Sequence, residues 1–202
     1  MKPSRRDDLI RAALDLFYKY GYNATGIERI LATAGVAKPT LYRHFKSKDE
    51  LILAALHRWD EDSRAWLRTE MEKRGRTPRE RLLALYDVLG EWFATKGFQG
   101  CMFINAAVEF SEHENPIHQA AAAHKRSFAA YVRDLVAAAG AERPGDVTER
   151  LMIVMEGAIV TAHTKGAADA AYQARQLAEM ILAESLDRSK SEAFAVLRPD
   201  AG

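Results

Sequence analysis

Between Thr25 and Leu51 the sequence TGIERILATAGVAKPTLYRHFKSKDEL can bury its apolar residues on one side only if two short helices meet at a sharp turn. Ile27, Ile30, Leu31 and Ala34 fall at i, i+3, i+4 and i+7, a stripe that one helix can bury. Thr25 and Glu28 have the spacing of a capping box at its start, and Gly35 supplies the backbone freedom that a helix end and tight turn require. Pro39 then lies in the first turn of a second helix, where its missing N–H removes no hydrogen bond. On that helix Leu41 and Phe45, four apart, can bury with Val36. Pro39, Thr40 and Arg43 occupy the opposite arc, with Tyr42 and His44 at its edges. Ser47 and Glu50 form another capping-box pattern and open a further helix at Lys48.

That exposed arc has the chemistry of a DNA-reading surface. Arg43 can fork two hydrogen bonds to a guanine edge, and Pro39 and Thr40 can touch base edges or a thymine methyl. Lys38, Tyr42, His44 and Lys48 can reach phosphates, and Thr25 joins them as a candidate contact. Two helices and a turn arranged in this way make a helix-turn-helix. With helix Ser4 to Tyr20 ahead of it, the run resembles the DNA-binding domain of the TetR family of transcriptional repressors, GVAKPTLYRHFKSKDEL carrying the specific part of the likeness. Ala37 departs from the family pattern, since many members place a capping serine or threonine there. Losing such a cap costs about 1 kcal/mol.

Charge supports a local rather than a global attraction. Residues up to Glu50 hold ten Lys or Arg against six acids, an excess of +4 that leaves −3 for the remainder of a chain whose total is +1. A basic face confined to one segment is what phosphate attraction needs. The N-terminal MKPSRRDDL has no apolar core of the secretory kind, and no uncharged apolar run is long enough to span a bilayer, so a cytoplasmic location is expected. Cys101 is the only cysteine, in an apolar run, and reads as a small buried hydrophobe.

The rest of the chain reads as helix throughout. Ile10, Ala13, Leu14 and Phe17 define an apolar face from Ser4 to Tyr20, with Gly21 as the stop. Ile52, Ala55, Leu56 and Trp59 continue the period from Lys48 toward Arg74, a connecting helix that Gly75 ends. Thr77, Pro78 and Glu80 start a helix running to about Thr95. Cys101 to Phe110 is apolar on nearly every side, which predicts a buried helix. Asn115 and Pro116 open a long helix to about Ala139, and Gly140 with Pro144 breaks it. Helices near Asp146–Lys165 and Asp169–Leu186 follow. The expected fold is all-α, an N-terminal three-helix helix-turn-helix domain (1–50) followed by a larger helical ligand-binding and dimerisation domain (51–188) and a polar C-terminal tail (189–202).

Polar residues on apolar faces mark candidates in the second half. Asn105 and Glu109 share a face, His124 interrupts the stripe Ile117, Ala121, Phe128, Tyr131, Leu135, and Glu156 and His163 share another. With Trp92, Met102, Phe103, Phe110, Phe128 and Met155 they can line an effector pocket, apolar with a few convergent polar groups. The alternative is that each bonds to a neighbouring helix. A metal site from His113, His118, His124 and Glu109 lacks tight ligand spacing, so neither metal nor cofactor is expected. An enzyme built on Glu109, His124 and His163 would lack a nucleophile elbow or a phosphate loop. A protein-binding adaptor would not explain Arg43 and Lys48 beside Tyr42.

Small residues Gly157, Ala158, Thr161 and Ala162, and the broad stripe Ala174, Leu177, Ala178, Ile181 and Leu182, suggest a two-fold helical interface. The family resemblance implies the same: pairing through the last two helices, a palindromic double-stranded DNA operator, and release by a small-molecule effector. The segment GCMFINAAVEF is similar, more loosely, to effector domains of the LmrA- and QacR-type subgroup.

Overall fold

The structure, a computed structural model, describes residues 4–166 and 169–196, with side chains as far as residue 186. The described residues contain helices and no strands. In order they are α1 (Arg5–Tyr20), α2 (Ile27–Ala34), α3 (Lys38–His44), α4 (Lys48–Arg74), α5 (Pro78–Phe93), α6 (Met102–Glu109), α7 (Pro116–Ala138), α8 (Pro144–Lys165) and α9 (Ala170–Val196). The polar tail expected from residue 189 is therefore helical to Val196, and 197–202 lie outside the described residues.

The chain packs as two units. The first is the chain up to Ala65 together with Gln99–Arg126; the second is Trp66–Phe98 with the residues from Ser127 onward. In the first, Leu9, Ala13 and Phe17 of α1, Ile30 of α2, Leu41 and Phe45 around α3, and Leu51, Ile52, Ala55 and Leu56 of α4 are buried. Of the stripe expected on α2 only Ile30 is fully enclosed; Ile27, Leu31 and Ala34 are half-buried because an eight-residue helix meets its neighbours along one line. Here α6 adds Met102, Phe103 and Ala106 to the core, yet Val108 is 74% exposed, so this helix is one-sided rather than enclosed.

In the second unit, Leu82, Leu85, Tyr86 and Leu89 of α5 pack with Leu151, Met155 and Ile159 of α8 and with Ala174, Ala178 and Leu182 of α9. The Tyr86 hydroxyl donates to the Leu151 carbonyl at 3.0 Å, and burial raises its pKa far above the ordinary range. The Thr77–Glu80 capping box forms as the sequence predicts. At Gly75 any side chain would overlap the Arg81 backbone, which fixes a tight reversal between α4 and α5. The break expected at Gly140 and Pro144 is present, α7 ending at Ala138, and α8 starts at Pro144 itself rather than near Asp146, with the proline in its first position where the missing donor is harmless.

Candidate nucleic-acid interface and ligand region

The reading surface is set by what α3 buries. Leu41 is fully enclosed and Phe45 nearly so, which turns Lys38, Pro39, Tyr42, Arg43 and His44 outward and leaves Thr40 and Lys48 half-exposed. Gly35 adopts φ +63° at the end of α2, as the turn demands. Ala37 is the N-cap of α3 and offers no side-chain bond, as its departure from the family pattern anticipates. Arg43 has no intramolecular ion pair among the described residues. Lys38 pairs with Glu28 at 3.2 Å, an exposed contact weak enough for a phosphate to replace. Lys48 Nζ donates to the Asn23 carbonyl at 3.3 Å.

Thr25 departs from its expected roles. It is wholly buried, and its hydroxyl donates to the carbonyls of Gly21 (2.7 Å) and Leu16 (3.3 Å), so its side chain does not cap α2 and is not exposed on the reading surface. Gly26 is the N-cap, without a side-chain bond. Tertiary closure outcompetes the local cap, since the loop from Gly21 to Gly26 needs its carbonyls satisfied. At the start of α4, Glu50 N–H donates to Ser47 Oγ at 3.2 Å, but the Glu50 carboxylate takes the amide of Lys46 rather than that of Ser47. A capping box absent from the sequence reading, Ser4 with Asp7, starts α1.

The effector candidates divide by unit. In the first, His124 stacks on Phe103 with ring centroids 3.6 Å apart and contacts Asp60 of α4 through Nδ1. An ionised carboxylate only accepts, so the Nδ1 atom carries the hydrogen. Burial lowers the His124 pKa despite Asp60 beside it, leaving a neutral ring at pH 7. For Asp60, burial pushes upward, but Arg64 and His124 outweigh it and hold the carboxyl below its ordinary value. Asn105 Nδ2 donates to the Gln99 carbonyl at 3.1 Å. Glu109 accepts the amides of Tyr22 (2.9 Å) and Asn23 (2.7 Å). Phe110 lies edge-on to Tyr22, whose hydroxyl donates to the Met102 carbonyl.

In the second unit Phe128 and Met155 are buried, Trp92 and Glu156 half-buried, and His163 exposed. Trp92, Phe93 and Phe98 cluster, with His163 edge-on to Phe98, beside a cavity of about 280 Å³ that Phe93, Thr95, Phe98, Ala162 and His163 line. Nothing local in the sequence distinguishes Asp60, Phe98 or Gln99, whose roles arise from packing between distant segments. Among the described residues no three His, Cys, Asp or Glu side chains group as metal ligands, and no helix is long and apolar enough to cross a membrane.

Residues 9–55 match the family described as bacterial regulatory proteins, tetR family, and residues 78–178, half of the chain, match the tetracyclin repressor-like C-terminal domain. The chain belongs to the TetR family of transcriptional regulators. A TetR-family regulator from Streptomyces coelicolor has the same fold, with a TM-score of 0.84 and 30% identity over 90% of this chain and 96% of that one. The HTH-type transcriptional regulator YjdC of Escherichia coli is 26% identical over 155 residues, 77% of this chain and 81% of its own. A local match, 49% over 57 residues (28% of this chain, 26% of the relative), is the HTH-type transcriptional activator FasR of Mycolicibacterium smegmatis. These matches establish a DNA-binding regulator, which displaces the enzyme and adaptor readings; they do not reach the LmrA- and QacR-type subgroup.

For a TetR-family chain the free faces of α8 and α9 matter next. Ala158, Ala162, Ala174, Ala178 and Leu182, read from sequence as interface residues, are buried within the chain. The exposed apolar residues are Ile153 and Val160 on α8 and Tyr172, Leu177 and Met180 on α9. Ile153, Gly157, Val160 and Thr164 follow one helical stripe, and no atom approaches where a side chain on Gly157 would project.

Proposed function

We propose that the protein acts as a homodimeric repressor that covers a palindromic operator and leaves it when a small molecule binds. The observation that carries this reading is the pairing of two surfaces, the cationic, phenolic arc of α3 and the apolar stripe of α8 and α9. Ile153, Met180 and Tyr172 are 72%, 68% and 60% exposed, and several large apolar side chains left in water on two neighbouring helices favour an association site. A second copy of the chain supplies the same stripe by two-fold symmetry. Two reading heads then match successive major grooves.

On DNA, Arg43, Thr40 and Pro39 read base edges while Lys38, Tyr42, His44 and Lys48 hold phosphates. DNA reading is assigned to 1–50 and effector binding with dimerisation to 51–188, although residues 51–65 and 99–126 pack with the reading head. Effector binding is assigned to the apolar residues Trp92, Met102, Phe103, Phe110, Phe128 and Met155 with Asn105, Glu109, His124, Glu156 and His163. Of these, His163 lines the aromatic cavity, and Trp92 belongs to the ring cluster beside it. A ligand shifts the dimer only by its differential affinity for the DNA-bound and free states. The action is placed in the cytoplasm, where the operator lies.

The test begins with a duplex selected by the purified chain from a random pool. Analytical ultracentrifugation of the complex should give two chains per palindrome, and deletion of the gene should raise expression from a promoter holding that sequence. One chain per asymmetric site contradicts the dimer. Expression that falls on deletion makes the protein an activator, as the FasR relative is named.

A further inference from the structure

Glu109, at the end of α6, sits far in sequence from the residues it holds. Its two carboxylate oxygens accept the successive amides of Tyr22 and Asn23, at 2.9 and 2.7 Å, and Asn23 Nδ2 returns to the Glu109 carbonyl at 3.5 Å. Gly21, the preceding residue, has φ +83°, and a Cβ there would stand 2.8 Å from Glu109 Oε1. The loop has thus been cleared of side chain where the carboxylate enters. The same segment is pinned to α6 by the Tyr22 hydroxyl on the Met102 carbonyl, 2.9 Å, and is closed internally by Thr25.

Asn23 connects this clamp to the DNA side. Its amide points to Glu109, and its carbonyl receives the Lys48 ammonium at 3.3 Å. A carboxylate hydrogen-bonded to the N–H of one peptide group polarises the chain of bonds beyond it, and it also fixes where the loop carbonyls stand. We infer that Glu109 is a positioning residue for operator binding: through the Gly21–Thr25 loop it places the Lys48 ammonium at the phosphate backbone. This rests on the reading of Lys48 as a phosphate contact. It gives α6 a direct hold on the reading head that does not pass along the length of α4, so a ligand that moves α6 changes the head through the Glu109 carboxylate together with the Tyr22–Met102 bond.

The experiment uses the full chain and the duplex it selects from a random pool. Operator affinity is measured by fluorescence anisotropy across a salt series for the wild type, Glu109→Ala, Glu109→Gln, Lys48→Ala, the double variant Glu109→Ala/Lys48→Ala, and Val108→Ala as an exposed α6 control. Hydrogen exchange of the loop is followed in parallel. Glu109→Ala should weaken binding about tenfold. Exchange should rise at Tyr22 and Asn23 while the α2 amides stay protected. Glu109→Gln should recover part of the loss, because one amide oxygen still accepts. Val108→Ala should bind as the wild type does. The double variant should bind no worse than Lys48→Ala alone, since the two side chains act in series. Full additivity, or wild-type affinity in Glu109→Ala while Lys48→Ala is weakened, overturns the inference and leaves Lys48 as a phosphate contact. Wild-type affinity and salt slope in Lys48→Ala overturn the phosphate reading and the inference with it.

Discussion

The α3 arc and the α8–α9 stripe expose opposite kinds of surface, and each shows what the other lacks. Around α3, Leu41 and Phe45 are buried so that Tyr42, Arg43 and His44 stand in water. Polar groups on a helix cost nothing when solvated and wait for a charged partner. On α8 and α9 large apolar side chains stand in water instead, and only burial against another surface relieves them. The first surface suits a polyanion; the second, on the proposed reading, suits another copy of itself, and a dimer on DNA would use both.

The largest expected effect removes the self-complementary surface. Ile153→Glu with Met180→Glu should convert the dimer to a monomer in sedimentation and weaken operator binding by at least about 100-fold, since the second head's contribution is lost. A dimer that persists would place the interface elsewhere. Next comes the buried hydroxyl behind the reading arc. Thr25→Val keeps the volume but leaves the Gly21 carbonyl without its partner, and should cost about 1 to 2 kcal/mol in denaturant unfolding. Unchanged stability with altered base preference would return Thr25 to the DNA surface.

A smaller effect has the opposite sign. Ala37→Ser supplies the missing cap of α3 and should stabilise the chain by about 1 kcal/mol, raising Tm without changing the oligomeric state. No change would mean that the α3 N-terminus is already satisfied. The smallest effect concerns pH. The His124 pKa is lowered in the folded chain, so its contribution is complete above the ordinary value of about 6.5 and is lost as pH falls below it, where the unfolded chain takes up the proton first. Asp60, also lowered, acts in the same direction further into acid. Tm should therefore drop on acidification below about 6.5, and His124→Gln should flatten that part of the curve. A wild-type Tm that rises instead would show the charged ring to be the favoured form.

The α1 to α3 segment was legible because its period, glycine and proline signals lie within a few residues of what they control. Thr77 with Glu80 and Asn115, whose Oδ1 accepts the Ile117 amide, are readable for the same reason. Thr25 was not, because its choice between capping α2 and closing a loop against Leu16 and Gly21 is settled by packing. Glu109 lies 87 and 86 residues from Tyr22 and Asn23, a separation that leaves no pattern in one sequence. On α8 and α9 the apolar positions outnumber what one face can hold, so the sequence shows two apolar sides without saying which is inward. Only the positions of Ala158, Ala174 and Ala178 in the core separate them from Ile153 and Met180.

The central claim is that the α3 arc reads bases through Arg43. Fluorescence anisotropy of wild type and Arg43→Ala on the selected duplex and on a shuffled one tests it most directly. Arg43→Ala should lose about 1 to 3 kcal/mol on the selected duplex, relax discrimination at one base pair, and change little on the shuffled one. Equal losses on both would contradict it, showing that Arg43 holds only the backbone.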